Sequence, residues 1–145
     1  MSATYSIKSL EGVDASDAKA LRDAGIRTTA KFLEAAKDPK GRKVLADKTG
    51  IDQQRLLLWA NMADFFRVSG LGRGYAELLR HVGVDTVRDL RYRNPAHLAE
   101  SMATTNKKRK LVRLVPTEKA IRRWIDHAKK LPLKITYRTR RKSEP

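Results

Sequence analysis

The 145-residue sequence predicts an all-α protein. Two tandem units of about four helices each are expected to pack as one compact pseudo-twofold domain, followed by a basic C-terminal tail. Three observations carry this expectation. The first half of the chain is repeated in the second, apolar residues recur at helical spacing, and capping residues bracket the apolar stripes. No stretch alternates clearly enough for a sheet, apart from a short extended piece in LKITYR.

The duplication emerges at an offset of 58. LEGVDASDAKALRDAGIRT (residues 10–28) lies over VSGLGRGYAELLRHVGVDT (residues 68–86). Gly12 pairs with Gly70, Ala18 with Ala76, Leu21 with Leu79, Arg22 with Arg80, Gly25 with Gly83 and Thr28 with Thr86. Further on, LLLWANMA resembles AIRRWIDHA, with Trp59 over Trp124 and Ala63 over Ala128 at an offset of 65. The second copy therefore holds seven extra residues. They fall around TTNKKRKLVR, where the basic run Lys107, Lys108, Arg109, Lys110 and Arg113 occurs.

The first unit spans residues 1–65. Its turn near Gly12 leads into a helix that Asp14 can cap, and Gly25 is suited to end that helix in a left-handed conformation. Thr28 caps the next helix, Asp38 before Pro39 opens a third, and Asp52 caps a fourth that runs to about Phe66. Leu56, Trp59, Ala60 and Ala63 form one stripe of that last helix. The second unit spans residues 66–131 and follows the same order: a turn at residues 70–72, a helix over residues 73–82, and Gly83 as its stop. Thr86 caps the next helix with Asp89 completing a capping box, Asn94-Pro95 opens another, and Thr117 caps the last. Ile121, Trp124, Ile125, Ala128 and Leu131 give that last helix its apolar stripe. Both tryptophans are expected in the core. A unit of this size buries too little apolar surface to stand comfortably alone, so the copies should pack together. The tail, residues 132–145, is expected to be disordered until it meets a partner.

Net charge is +16, and its distribution is one-sided. Residues 1–65 hold 11 basic and 9 acidic side chains, whereas residues 66–145 hold 21 and 7. Such a field favours a polyanion, nucleic acid first. There is no cysteine, which excludes disulfides and thiolate metal sites, and His81, His97 and His127 lack metal-ligand spacing among themselves. The expectation is no metal and no cofactor. The N-terminal residues lack a basic leader with a long apolar run, and no segment approaches the roughly 20 apolar residues of a membrane span. We therefore expect no membrane partner, and a cytoplasmic location, nucleoid-associated if the source is bacterial.

Helix, tight SGLG turn, helix is the arrangement of a helix-hairpin-helix motif. The pattern of that family is an apolar residue, Gly-apolar-Gly, then an Ala and a Leu; Val68, Gly70, Leu71, Gly72, Ala76 and Leu79 match it. Over residues 7–131 the two copies together resemble the tandem helix-hairpin-helix proteins of an uncharacterised bacterial family, domain of unknown function 4332. The resemblance implies two tandem helix-hairpin-helix units whose hairpin amides hold a DNA phosphate without reading sequence, in some relatives with a monovalent cation on the hairpin carbonyls. Physical chemistry agrees, because the first amides of a helix have no internal partners and sit at the positive end of its dipole.

The two copies differ at the deciding position. The first has Asp14, Ala15, Ser16 and Asp17, whose carboxylates satisfy the helix start and repel phosphate. The second has Gly72, Arg73 and Gly74. The expected nucleic-acid-binding residues are Ser69, Gly70, Leu71, Gly72, Arg73 and Gly74 of the hairpin, Lys107, Lys108, Arg109, Lys110 and Arg113 of the insertion, and Lys134, Arg138, Arg140, Arg141 and Lys142 of the tail. Tyr137 is either a stacking platform or a loose surface tyrosine.

GLGRGY is not a P-loop, and its glycines do not fit the dinucleotide fingerprint. No catalytic constellation occurs, so no enzyme activity and no catalytic residue are expected. The leading expectation is non-specific binding of double-stranded DNA, ahead of RNA. The alternative is a non-enzymatic helical adaptor docking on an acidic protein or an RNA-protein assembly.

Overall fold

Each capping signal becomes a helix start in the computed structural model, which describes residues 4–137. A short 3-10 turn at Ile7–Ser9 is followed by α1 (Ala15–Asp23), α2 (Thr29–Ala36), α3 (Pro39–Thr49) and α4 (Gln53–Phe65). The second unit supplies α5 (Arg73–His81), α6 (Val87–Leu90), α7 (Pro95–Arg109) and α8 (Glu118–Lys130). Side chains of Asp14, Thr28, Asp38, Asp52, Thr86, Asn94 and Thr117 each accept an amide hydrogen bond in the first turn of the helix they precede. One expected cap differs. The Asp89 amide donates to Thr86, but the Asp89 carboxylate turns to the Arg93 guanidinium and returns nothing to Thr86. The capping box forms instead between Asp14 and Asp17.

The repeat is geometric as well as textual. Gly12 and Gly70 adopt φ of +89° and +83°, a region that side chains with a Cβ enter only with strain. Next to each, an indole Nε1 lies 3.6 Å from where a Cβ would stand: Trp59 at Gly12, Trp124 at Gly70. Val13 and Leu71 both donate to the carbonyl three residues back, Leu10 and Val68. Both tryptophans are buried, as expected, and one apolar cluster runs through both halves. Trp59 sits edge-on to Phe32 and Trp124 lies against Tyr75. The copies diverge in the middle: α2 has eight residues and α6 four, while α3 has eleven and α7 fifteen. The insertion thus lengthens α7 and the connection after it.

The N-terminal segment joins the two units. It is anchored on the first by the amides of Ile7 and Thr29, which donate to Arg27 and Tyr5 carbonyls, and it reaches the second through Tyr5, whose ring meets Phe66 edge-on at 4.8 Å.

The tail departs from expectation where it is described. Residues 132–137 run back onto the first unit, and no strand forms among the described residues. Arg67 donates to the Pro132 carbonyl, Lys134 pairs with Glu34 at 2.8 Å, and Arg42 donates to the Thr136 carbonyl at 2.7 Å. The Thr136 amide donates to Lys37, and Tyr137 donates to Asn61, so Tyr137 is held at its hydroxyl. Composition suggested disorder because these anchors lie up to 94 residues away in sequence. Arg138, Arg140, Arg141 and Lys142 lie outside the described residues.

Hydrogen bonds from Lys134 and Lys37 draw the Glu34 carboxyl from 4.5 down to about 2. A depressed folded value means that the stabilisation of the docked tail is complete above about pH 4.5 and is lost as pH falls toward about 2. The protection factor of the Thr136 amide, measured by hydrogen exchange, should fall across that interval in the wild-type chain. In Glu34→Gln it should be lower than in wild type above about pH 4.5 and change less across the same interval, the bonds from Arg42 and Arg67 to the tail remaining.

Candidate nucleic-acid interface

α5 starts without a cap. Gly72 has no side chain to offer, and its φ of −91° is one that any residue adopts, so the open end reflects a missing side-chain oxygen more than an unusual backbone. The amides of Arg73, Gly74 and Tyr75 meet no acceptor among the described residues. They are the orphan donors of a helix start, at the positive end of its dipole.

The corresponding start of α1 is filled. Asp14 accepts from the Asp17 amide at 2.8 Å and Asp17 accepts from the Asp14 amide at 3.2 Å. Arg55 of α4 then closes the turn: it pairs with Asp17 at 2.5 Å, reaches the Gly12 carbonyl, and stacks over the Trp59 ring at 4.8 Å. Burial works to raise the Asp17 carboxyl, but Arg55 and the Asp14 amide together outweigh it and hold the group below its ordinary value. In the second unit every one of these closing residues is replaced. Gly72 stands for Asp14, Tyr75 for Asp17, and Ala120 for Arg55. Where the first turn carries an ion pair lying on its tryptophan, the second carries a cleft.

That cleft, about 790 Å³, is lined by Gly70, Gly72, Arg73, Gly74, Tyr75, Val112, Arg113 and Leu114. The insertion supplies its far wall. Asn106 clamps the loop by donating to the Val112 carbonyl and accepting from the Val112 amide, and Tyr75 donates its hydroxyl to the Leu114 carbonyl at 3.0 Å. Gly74 leaves the space that Val112 occupies, since a Cβ there would come within 2.8 Å of the valine methyl. The three glycines of GLGRG thus differ in what they permit. Gly70 makes the turn, Gly72 leaves the helix start uncapped, and Gly74 seats the insertion.

The expected site residues divide accordingly. Gly70, Gly72, Arg73, Gly74 and Arg113 meet around the cleft. Arg73 is exposed but held, its guanidinium over the Tyr5 ring at 5.3 Å and near the Ser9 hydroxyl at 3.3 Å. Ser69 borders a neighbouring cleft, and its amide is already bonded to His127 Nδ1 at 2.9 Å. Leu71 does not face a ligand: its side chain is buried in the core and its amide is bonded to Val68, so it anchors the turn. Lys107, Lys108 and Arg109 are exposed on the last turn of α7, and Lys110 caps it in a left-handed conformation; they flank the cleft without lining it. Lys134 is committed to Glu34 on the first unit and is not part of this surface.

Arg123, exposed on α8 beside Trp124, was missed in the sequence and lines the neighbouring cleft. The available signal was the register between the copies, because Ala120 in place of Arg55 exposes the wall that Arg123 borders. A second group was also hidden. Glu11, Glu77 and His81 bring ligand-type atoms within 4.8 Å of one another. Arg80 already supplies a cation there, bonding Glu11 at 2.8 Å while His81 contacts its other oxygen at 3.2 Å. Burial and the adjacent Glu11 push the Glu77 carboxyl up. The group acts as a charged seam between the N-terminal segment and α5.

No helix among the described residues is long and apolar enough to cross a membrane. The family model described as a domain of unknown function (DUF4332) matches residues 11–131, so the chain belongs to that family. No curated protein and no solved structure matches it.

The caps differ in a way that thermal unfolding can read. Asp14→Ala removes the carboxylate that accepts from the Asp17 amide, leaving the reciprocal bond from the backbone amide of residue 14, and should cost about 1 kcal/mol, lowering Tm by about 3 °C. Gly72→Asp writes the first copy's cap into the second; its Cβ lies 3.2 Å from the Tyr5 hydroxyl, which must shift slightly, and with that shift the new cap should raise Tm.

Proposed function

We propose that this member of the DUF4332 family is a tandem helix-hairpin-helix protein that binds the phosphate backbone of double-stranded DNA without strong sequence preference, using the second hairpin alone. One observation carries the reading. Two turns of the same geometry differ in that one is closed by Asp14, Asp17 and Arg55, while the other presents three unpaired amides to a cleft walled by Arg73 and Arg113. An anion supplies what the second turn lacks, both acceptors for the amides and charge for the helix dipole. Phosphate contacts of this kind position a protein on the duplex and carry no base information.

The surrounding charge supports the same reading. Arg113, Arg123 and the Lys107 to Lys110 run make no ion pair among the described residues, whereas most acidic side chains of the first unit are paired. The cationic surface is therefore uncompensated on the side of the open turn. The protein has no catalytic role in this reading, and its partner is DNA before RNA.

Binding by counterion release has a distinct salt signature. Engagement of about six phosphates gives a slope of log K against log salt near −5. A slope near zero overturns the reading and leaves the adaptor role. Arg113→Glu and Arg73→Glu should weaken binding on all duplex sequences alike, and Arg27→Glu in the first unit should leave it nearly unchanged; fluorescence anisotropy with two unrelated duplexes measures both. Gly72→Asp should weaken binding even as it stabilises the fold, a combination that general damage cannot produce.

A further inference from the structure

We propose, resting on the DNA-binding reading above, that Leu114 is a wedge that enters the base stack of the bound DNA, and that the cleft behind it receives the base it displaces. Leu114 is 77% exposed, with Val115 beside it at 39% and Pro116 buried beneath. It is not a loose loop residue. Its carbonyl is held by the Tyr75 hydroxyl, and the preceding Val112 is held at both backbone groups by Asn106 and seated against Gly74. A stiffly mounted apolar side chain that faces solvent at the tip of a cationic insertion is the form taken by residues that unstack and kink a duplex.

Leu114 also borders two adjoining clefts. On one side is the phosphate cleft with Arg73 and Arg113; on the other is a cleft of about 430 Å³ lined by the half-buried Tyr75, against which the buried Trp124 packs with ring centres 5.2 Å apart. Ser69, Thr117 and Arg123 lie on the rim of the second cleft. Aromatic lining, hydroxyl rim and an adjacent guanidinium suit the face and polar edge of a nucleobase and the next phosphate. Charge suits an anionic occupant, since Arg73, Arg113 and Arg123 line the two clefts and among the described residues no acidic side chain does, and the aromatic lining beside these guanidinium groups favours a nucleotide, which pairs a flat base with a phosphate. The cleft exists because Ala120 stands where the first unit has Arg55.

Displacing a base costs least where it is already mispaired. The substrate class that follows is DNA with a mismatch or a single-base bulge, and such sites should bind about tenfold tighter than intact duplex, the size of one stacking contact. The test is a duplex carrying 2-aminopurine, whose fluorescence rises on unstacking, titrated with the full chain. Wild type should raise the signal and show the bulge preference. Leu114→Ala, a truncation at an exposed position, should keep the salt slope, which phosphate contacts set, but lose both effects. Duplex binding with no fluorescence change, or an equal change for Leu114→Ala, overturns the wedge and leaves the phosphate site standing. Failure to bind any duplex overturns the phosphate site and the wedge with it.

Discussion

The seating of an indole against a left-handed glycine, once in each unit, is the contact on which the rest of the structure depends. Trp59 at Gly12 and Trp124 at Gly70 join the last helix of a unit to the turn that opens it. A side chain at either glycine would be strained by the backbone angle before it met the ring. The pair draws each run of intervening residues into one closed unit, and burial of each large ring supplies much of the apolar free energy that a small domain needs. The direction in which the following helix starts is a consequence, so the orientation of the α5 amides is set by the same contact.

The duplication allowed the two turns to diverge without loss of fold. In the first, a capping box and the Arg55 to Asp17 pair occupy the helix start and cover the tryptophan. Those interactions stabilise locally and leave nothing for a ligand. In the second these interactions are absent, and the opposite wall is braced by Asn106 and Val112 of the insertion and by Tyr75 of α5, which donates to the Leu114 carbonyl.

Much of this was legible in local sequence. Capping residues act within one helical turn, and so Asp38, Asp52, Asn94 and Thr117 marked helix starts without any knowledge of the fold. The contrast between Gly72 and Asp14 was visible for the same reason. The Asp89 capping box misled because a carboxylate with Arg93 one turn away has a second partner beside it, and the guanidinium won. Lys134 was counted with the tail because sequence cannot reveal that Glu34, far earlier in the chain, lies beside it.

By itself, then, the sequence determined the helices, their caps, the repeat, the glycine turns and the side on which charge accumulates, all of which depend on neighbours a few positions apart or on direct comparison of the two copies. Only the tertiary structure decided that Arg113 and Leu114 meet the second turn, that Tyr5 holds Arg73, that Glu11, Glu77 and His81 converge, and that residues 132–137 lie on the first unit. These depend on where the chain returns after long excursions. Helical periodicity specifies which face of an element is buried, and the packing of the whole chain specifies what that face meets.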